Sequence, residues 1–430
     1  MTKKVQDFLE RYEILPSSID EKKLLSFFID EMDKGLKGDD SSLLMIPTYT
    51  GLGGKIEPGD KVIVLDAGGT NFRTCLVTFD DELQPIISDF RKVGMPGAKE
   101  LVSAKQFFGI LADNVERLID KTDRIGFCYS YAADITPDHD GIAKVFSKEI
   151  KAPEVVGMKV GKSLLDELAS RGHDVSKKKI AILNDTVATL LATKAKVSDI
   201  CSGYIGFILG TGTNTAYAEV EKNIEKIGGK GDERMIVNVE TGGLAADLGK
   251  LDREFLATTK NPAIFWFEKA ISGAYLGPFS DLVIRRACEE GIFSKGFAER
   301  FGKLDTLSTM VMSNYLEMPH NKDYSLVAIL DNEDDATALY EIIDAVIERA
   351  GKLTAVNLTA AVLKSNLGQN PRYPVIINAD GTTFYKTEGL EFYTRKYLDE
   401  ILRKGYGRYY KIVSVADSPV YGAAIAGATV

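Results

Sequence analysis

The sequence predicts an α/β protein with mixed sheets and a duplicated core. Two observations carry that prediction. The first is that Asp66-Ala67-Gly68-Gly69-Thr70-Asn71 and Leu209-Gly210-Thr211-Gly212-Thr213-Asn214 read almost alike. Each follows a β-rich apolar run, 62–65 or 204–208, and precedes another, 72–78 or 215–220, so each predicts a hairpin with a Gly/Thr turn. The second is an apolar run at 179–183 feeding a helix from about Thr186. Hairpins combined with strand–helix units give mixed sheets. Glycine lets the backbone approach a ligand and aim its N–H groups at phosphate oxygens, and threonine adds an uncharged hydroxyl donor. A lone Gly-rich turn is usually just a hairpin. Two turns sharing Gly-Thr-Asn point to a polyphosphate held between two halves.

The other elements follow along the chain. Val5, Phe8, Leu9 and Tyr12 share one helical face, and Leu24, Phe28, Met32 and Leu36 repeat every four residues. Gly35 and Gly38 mark the exit of that second helix, and 41–60 is rich in turn formers. Residues 125–131 form a short apolar strand. After Asn261 the pattern is mostly helical, including 336–364, with strands at 375–377 and 412–415 and a final helix at about 418–430.

Bulk properties exclude several classes. A chain of 430 residues divides into two domains. No run approaches the ~20 apolar residues of a membrane helix. The opening Met1-Thr2-Lys3-Lys4-Val5-Gln6-Asp7 lacks the apolar centre of a signal peptide. Cys75, Cys128, Cys201 and Cys288 have no C-x-x-C spacing, which argues against zinc and for free thiols in a reducing cytoplasm. A formal net charge of −9 argues against a nucleic-acid partner. His139, His173 and His320 lie in polar stretches or beside turn formers and read as solvated, so acid–base chemistry falls to carboxylates.

Three motifs remain. Gly157-Met158-Lys159-Val160-Gly161-Lys162-Ser163 resembles a P-loop but is one residue short between its glycines, which breaks the phosphate cradle. Asn184-Asp185-Thr186 lies where a strand ends and a helix begins. Asp185 reads as the N-cap and, compatibly, as an ionised base at the carboxyl end of a strand, where active sites collect. Asp66 beside the first turn would repel a phosphate unless a cation lay between them, which points to Mg²⁺ held through water, or else it is an Asx-turn.

Read together, these segments carry a resemblance. Glu31-Met32-Asp33-Lys34-Gly35-Leu36, Met45-Ile46-Pro47-Thr48-Tyr49, residues 65–73, Leu183-Asn184-Asp185-Thr186-Val187, residues 208–214 and residues 267–277 occur in the order and spacing of the hexokinase family. The chain resembles that family from about Glu31 to its C-terminus. The resemblance implies the two-lobed actin-like ATPase (ribonuclease H-like) fold. Chain order suggests a small lobe at 57–185 plus the helix at about 418–430, and a large lobe at 1–56 and 186–417. The implied activity is transfer of the γ-phosphoryl group of ATP, with Mg²⁺, to the 6-hydroxyl of a hexose, glucose first. Hexose and ATP are then the partners, and oligomeric state stays open.

Residue by residue, the resemblance implies Asp185 as the base and Lys148 as the cation on the transferred phosphoryl. It implies Ser130, Ser147, Lys148, Asn184, Asp185, Asn214, Glu240 and Glu268 around the sugar. For ATP it implies Asp66, Gly68, Gly69, Thr70, Asn71 and Arg73 from the first turn and Gly210, Thr211, Gly212 and Thr213 from the second. Gly381 and Gly422 would lie by the adenosine. Asn and Glu suit a polyol, whose hydroxyls both donate and accept. The chain departs from the family at Ser147, usually Thr, and at Thr241-Gly242-Gly243, where Trp-Gly usually follows the glutamate. Asp417-Ser418-Pro419-Val420-Tyr421-Gly422 also replaces a Gly-Ser-Gly type turn. Thr241-Gly242-Gly243 predicts a mobile Glu240 and loose hexose selectivity. Two other readings stay open: a kinase or ATPase of the same superfamily for a small carboxylate, and a non-catalytic sugar sensor.

Overall fold

Both Gly/Thr hairpins belong to larger sheets built on one plan. The computed structural model describes residues 1–145, 150–196 and 200–430. In chain order the strands are β1 (Ile46–Gly51), β2 (Lys61–Ala67), β3 (Asn71–Phe79), β4 (Pro85–Gly94), β5 (Arg124–Tyr129), β6 (Ala132–Ile135) and β7 (Gly141–Val145). They continue with β8 (Lys179–Leu183), β9 (Gly203–Leu209), β10 (Thr213–Val220), β11 (Arg234–Asn238), β12 (Val375–Asp380) and β13 (Tyr410–Val413).

The first sheet has the order β4-β3-β2-β5-β8, an antiparallel meander followed by two parallel strands. The second repeats it as β11-β10-β9-β12-β13, with β1 added beyond β11. The duplication expected from two turns is thus a duplication of strand order. β6 and β7 form a separate small hairpin.

Alternation along β2 decides which layer each side chain joins. Ile63 and Leu65 pack with Phe107, Leu111 and Leu164 from the helices Ala104–Val115 and Val160–Ser170. Val62 and Val64 face the other way, towards the C-terminal helix Ser418–Ala428. That helix covers the first sheet, the helix Asp185–Lys196 covers the second, and the two helices pack on each other. Glycine makes this crossing possible: a Cβ on Gly422 would stand 2.1 Å from the Ala188 carbonyl oxygen. The remaining large core joins the N-terminal helices Lys3–Arg11 and Glu21–Lys37 and the long helix Glu333–Ser365 to the second sheet.

Several expectations need correction. Residues 41–60 are not all turn, because β1 lies among them. Pro47 obscured it; a strand proline is tolerated at an edge, where β1 runs, pairing only with β11. β13 starts two residues earlier than expected, and β4, β6, β7 and β11 were not anticipated. His139 is half-buried rather than solvated, and burial pushes its pKa down. All four cysteines are free thiols. Among the described residues no helix is long and apolar enough to cross a membrane.

Candidate active site

The first turn is closed by the Gly68 N–H, which donates to the Asn71 carbonyl (3.0 Å). Thr70 stands exposed at its tip, and Asn71 Nδ2 donates to Thr70 Oγ1 (3.0 Å). Asp66 and Arg73 are opposite each other in the β2–β3 ladder, and Arg73 Nη1 lies 2.9 Å from Asp66 Oδ2. Burial pushes the Asp66 carboxyl up, Arg73 pulls it down, and the charge of Asp185 pushes it up again. Arg73, expected on the phosphates, pairs with Asp66 through Nη1 alone and stays partly exposed. It also supplies the counter-charge that the sequence argument assigned to Mg²⁺ alone.

In the second turn the Gly210 N–H donates to the Gly212 carbonyl (2.9 Å) and Thr211 is exposed. Thr383 Oγ1 and the Gly273 N–H both donate to the Gly210 carbonyl, each at 2.8 Å. Gly381 lies at φ +118°, and a Cβ there would come 2.3 Å from the Leu209 carbonyl oxygen. The end of β12, with Gly381, is therefore pressed against this turn. Gly422 is not: it is buried in the helix crossing against Ala188, so its role is packing.

Asp185 opens the helix Asp185–Lys196, just after β8. Asn184 Oδ1 accepts from the Thr186 N–H (2.8 Å), and the Asn184 carbonyl accepts from the Ala188 N–H (2.9 Å). Asn184 is thus the N-cap, which overturns the capping reading of Asp185. Asp185 becomes the first helical residue, with its carboxylate released from cap duty. Its charge contributes to raising the pKa of Asp66, Glu240 and Asp380 alike.

Glu240 is held by two asparagines. Its Oε1 accepts from Asn238 Nδ2 (2.8 Å) and Asn214 Nδ2 (3.1 Å), and Asn214 Nδ2 also donates to Asn238 Oδ1 (2.7 Å). Asn214 Oδ1 accepts from the N–H groups of Thr215 (2.7 Å) and Glu240 (3.0 Å). Asn214, expected on the sugar, thus joins Asn238 and Glu240 in one hydrogen-bonded group. Burial pushes the Glu240 carboxyl up, the Asn238 hydrogen bond opposes, and the charges of Asp185 and Glu268 push up again. Glu240 sits in the left-handed region at φ 60°, a strained conformation for a non-glycine residue that this network sustains. Asn238 was missed by sequence reading. Its signal was its place: a polar residue ending an apolar run two residues before Glu240.

Glu268, from the short helix Trp266–Ile271, turns into the site, and its Oε2 accepts from the Thr213 N–H (3.1 Å). A Cβ on Gly212 would fall 2.4 Å from that oxygen, and one on Gly242 would fall 3.1 Å from Glu268 Cβ. Thr241 is buried and its neighbour Gly242 lies against Glu268. The expected mobility of Glu240 is therefore overturned: the Thr-Gly-Gly segment is a close-packed turn. Ser130 is buried at the end of β5, and its N–H donates to the Ala67 carbonyl (3.1 Å). A narrow cleft brings Tyr129 and Tyr131 from that side against Asn184, Asn238 and Glu240. Ser147 and Lys148 lie outside the described residues.

Glu240, Glu268 and the capping Asn184 thus accompany Asp185 and the two Gly/Thr turns. Two hexokinase family profiles match the chain, one over residues 4–195 and one over 204–429, the second more than half of it. The chain belongs to the hexokinase family. Hexokinase-3 of Homo sapiens is 31% identical over 374 residues, covering 82% of this chain and 39% of that protein. Glucokinase-1 of Saccharomyces cerevisiae is 27% identical over 445 residues, covering 88% and 87%. The chain thus spans about two-fifths of the human relative and most of the yeast one. A solved hexokinase from Schistosoma mansoni, complexed with glucose, superposes with TM-score 0.79 at 22% identity, covering 100% of this chain and 99% of that one. A ROK hexokinase from Thermus thermophilus superposes with TM-score 0.51 at 13% identity, covering 85% and 97%. The fold of this hexokinase-family chain is the two-lobed actin-like ATPase fold, and its repeated strand order is the duplicated core of that fold.

Proposed function

We propose that this chain transfers the γ-phosphoryl group of ATP to the 6-hydroxyl of a hexose, with glucose as the first substrate. The observation that carries the reading is Asp185: a carboxylate relieved of capping by Asn184, accompanied by two Gly/Thr turns and a polyol-matching set. Asp185 accepts the proton of the 6-hydroxyl as that oxygen attacks phosphorus. Glu240 and Glu268 accept hydrogen bonds from sugar hydroxyls, Asn184 Nδ2 donates, and Ser130 with Ser147 closes from the opposite side. The backbone N–H groups and hydroxyls of Thr70 and Thr211 hold the phosphates, and Lys148 neutralises charge on the moving group.

The donor set fits a hydrated Mg²⁺. Among the described residues no three His, Cys, Asp or Glu side chains converge on one point, so no all-protein cage exists. A Mg²⁺ that keeps most of its water and rests mainly on phosphate oxygens needs only a nearby carboxylate, which Asp66 supplies through water. When bound, the ion neutralises phosphate charge.

The small lobe of this reading comprises 57–185 with the C-terminal helix and closes on a large lobe of 1–56 and 186–417. Sugar-driven closure assembles groups from both sides and keeps water from replacing the hydroxyl nucleophile. The test is ADP release over a panel of hexoses, small hydroxy-carboxylates and buffer alone. Hexose-dependent release supports the reading. Release only with a carboxylate points to a related kinase, and sugar binding without release points to a sensor; either refutes it.

A further inference from the structure

Tyr131 lies one residue beyond Ser130, and its hydroxyl donates to the Gly68 carbonyl (2.5 Å) in the first turn. Its ring is buried and stands edge-on to Tyr129 at 5.1 Å. Tyr129 in turn packs on Phe127 (5.8 Å) and Phe127 on Phe72 (6.4 Å), so one aromatic series runs from behind the turn to the sugar side of the cleft. The Ser130 N–H adds a second tie, to the Ala67 carbonyl (3.1 Å). Burial and the charges of Asp66 and Asp185 push the Tyr131 phenol up, which keeps it a neutral donor.

Gly68 is not glycine for the sake of the fold. An added Cβ would meet only the Asn71 carbonyl oxygen at an ordinary 3.6 Å, and Gly68 is not among the residues at positive φ. What glycine provides there is room for a ligand, at the cost of a peptide that swivels easily. A trans peptide is planar, with its C=O and the following N–H on opposite sides. Anchoring the Gly68 oxygen therefore also sets the direction of the Gly69 N–H.

We propose that Tyr131 is a positioning residue for the nucleotide: by holding the Gly68 carbonyl it turns the Gly69 N–H outward onto a phosphate oxygen, and it ties the sugar-side end of β5 to the phosphate turn. This rests on the kinase reading for the identity of the phosphate ligand. The hydroxyl, not the ring, does the positioning.

The test is Tyr131→Phe, which keeps the ring packing. Affinity for Mg²⁺-AMP-PNP and for glucose is measured separately by calorimetry, with KM for ATP and the melting temperature alongside. The analogue is expected to bind about fivefold to tenfold more weakly, as for one lost hydrogen bond, with KM for ATP rising in step. Glucose affinity should stay within about twofold, the range of a neutral substitution. Unchanged nucleotide affinity overturns the proposal, and so does a parallel loss of both ligands with a lower melting temperature, which marks simple packing. Failure of the kinase reading is read separately, from a parent protein that binds the analogue but phosphorylates no hexose.

Discussion

The hydrogen bonds on Glu240 set the pH at which the site begins to work. Asn238→Ala removes the shorter of the two donors on Glu240 Oε1, at 2.8 Å, and leaves Asn214 at 3.1 Å. Both bonds favour the ionised carboxylate, against burial and the charges of Asp185 and Glu268, which favour the protonated one. A hydrogen bond to a charged group is worth about 1.5–3 kcal/mol. One pKa unit corresponds to about 1.4 kcal/mol. Deletion should therefore raise the Glu240 pKa further, by less than a whole bond's worth because Asn214 Nδ2 also loses its Asn238 partner and can close on Glu240. In the proposed reading glucose binding uses the ionised form, so the sign is fixed: the acid limb of kcat/KM for glucose should move to higher pH. The assay is that profile at saturating ATP, for the parent and for Asn238→Ala. A limb that stays in place or moves to lower pH refutes the argument that Asn238 holds Glu240 ionised. Glu240→Gln serves as control and should remove the shift along with much of the glucose affinity.

Three further outcomes follow. Asp185→Ala should lower kcat by about 10²–10⁴-fold, as for a lost general base, with glucose affinity little changed; because Asn184 carries the cap, the melting temperature should hold, and turnover within about tenfold of the parent would sink the assignment. Gly422→Ala places a Cβ 2.1 Å from the Ala188 oxygen, so chemical denaturation should show a loss of about 1–3 kcal/mol, whereas an unchanged stability with a raised KM for ATP would restore the adenosine role. Saturating glucose should reduce the radius of gyration in solution scattering while ATP alone should not, since sugar groups come from both sides of the cleft; an unchanged radius with glucose bound would count against closure.

The sequence by itself determined the features that are local. The two Gly/Thr hairpins, the strand at 179–183 with its following helix, and the amphipathic N-terminal helices are set by glycine, by apolar period and by side-chain shape, all of which act within a few residues. The order of the family motifs was equally legible, because it lies along the chain. Only the tertiary structure decided how side chains meet across it. The family motif places Arg73 by the phosphates; that it also stands opposite Asp66 is decided by the β2–β3 register. Gly422 was read from a neighbouring motif, but helix packing buries it against Ala188. Asn184 rather than Asp185 caps the helix, a difference of one residue that only the backbone path resolves. Asn238 and Asn214 were separable as letters but act as one unit with Glu240, joined by pairing of β10 with β11. Hydrogen bonds are short-ranged and directional, so partners 24 residues apart in sequence are chosen by sheet register and not by the residues alone.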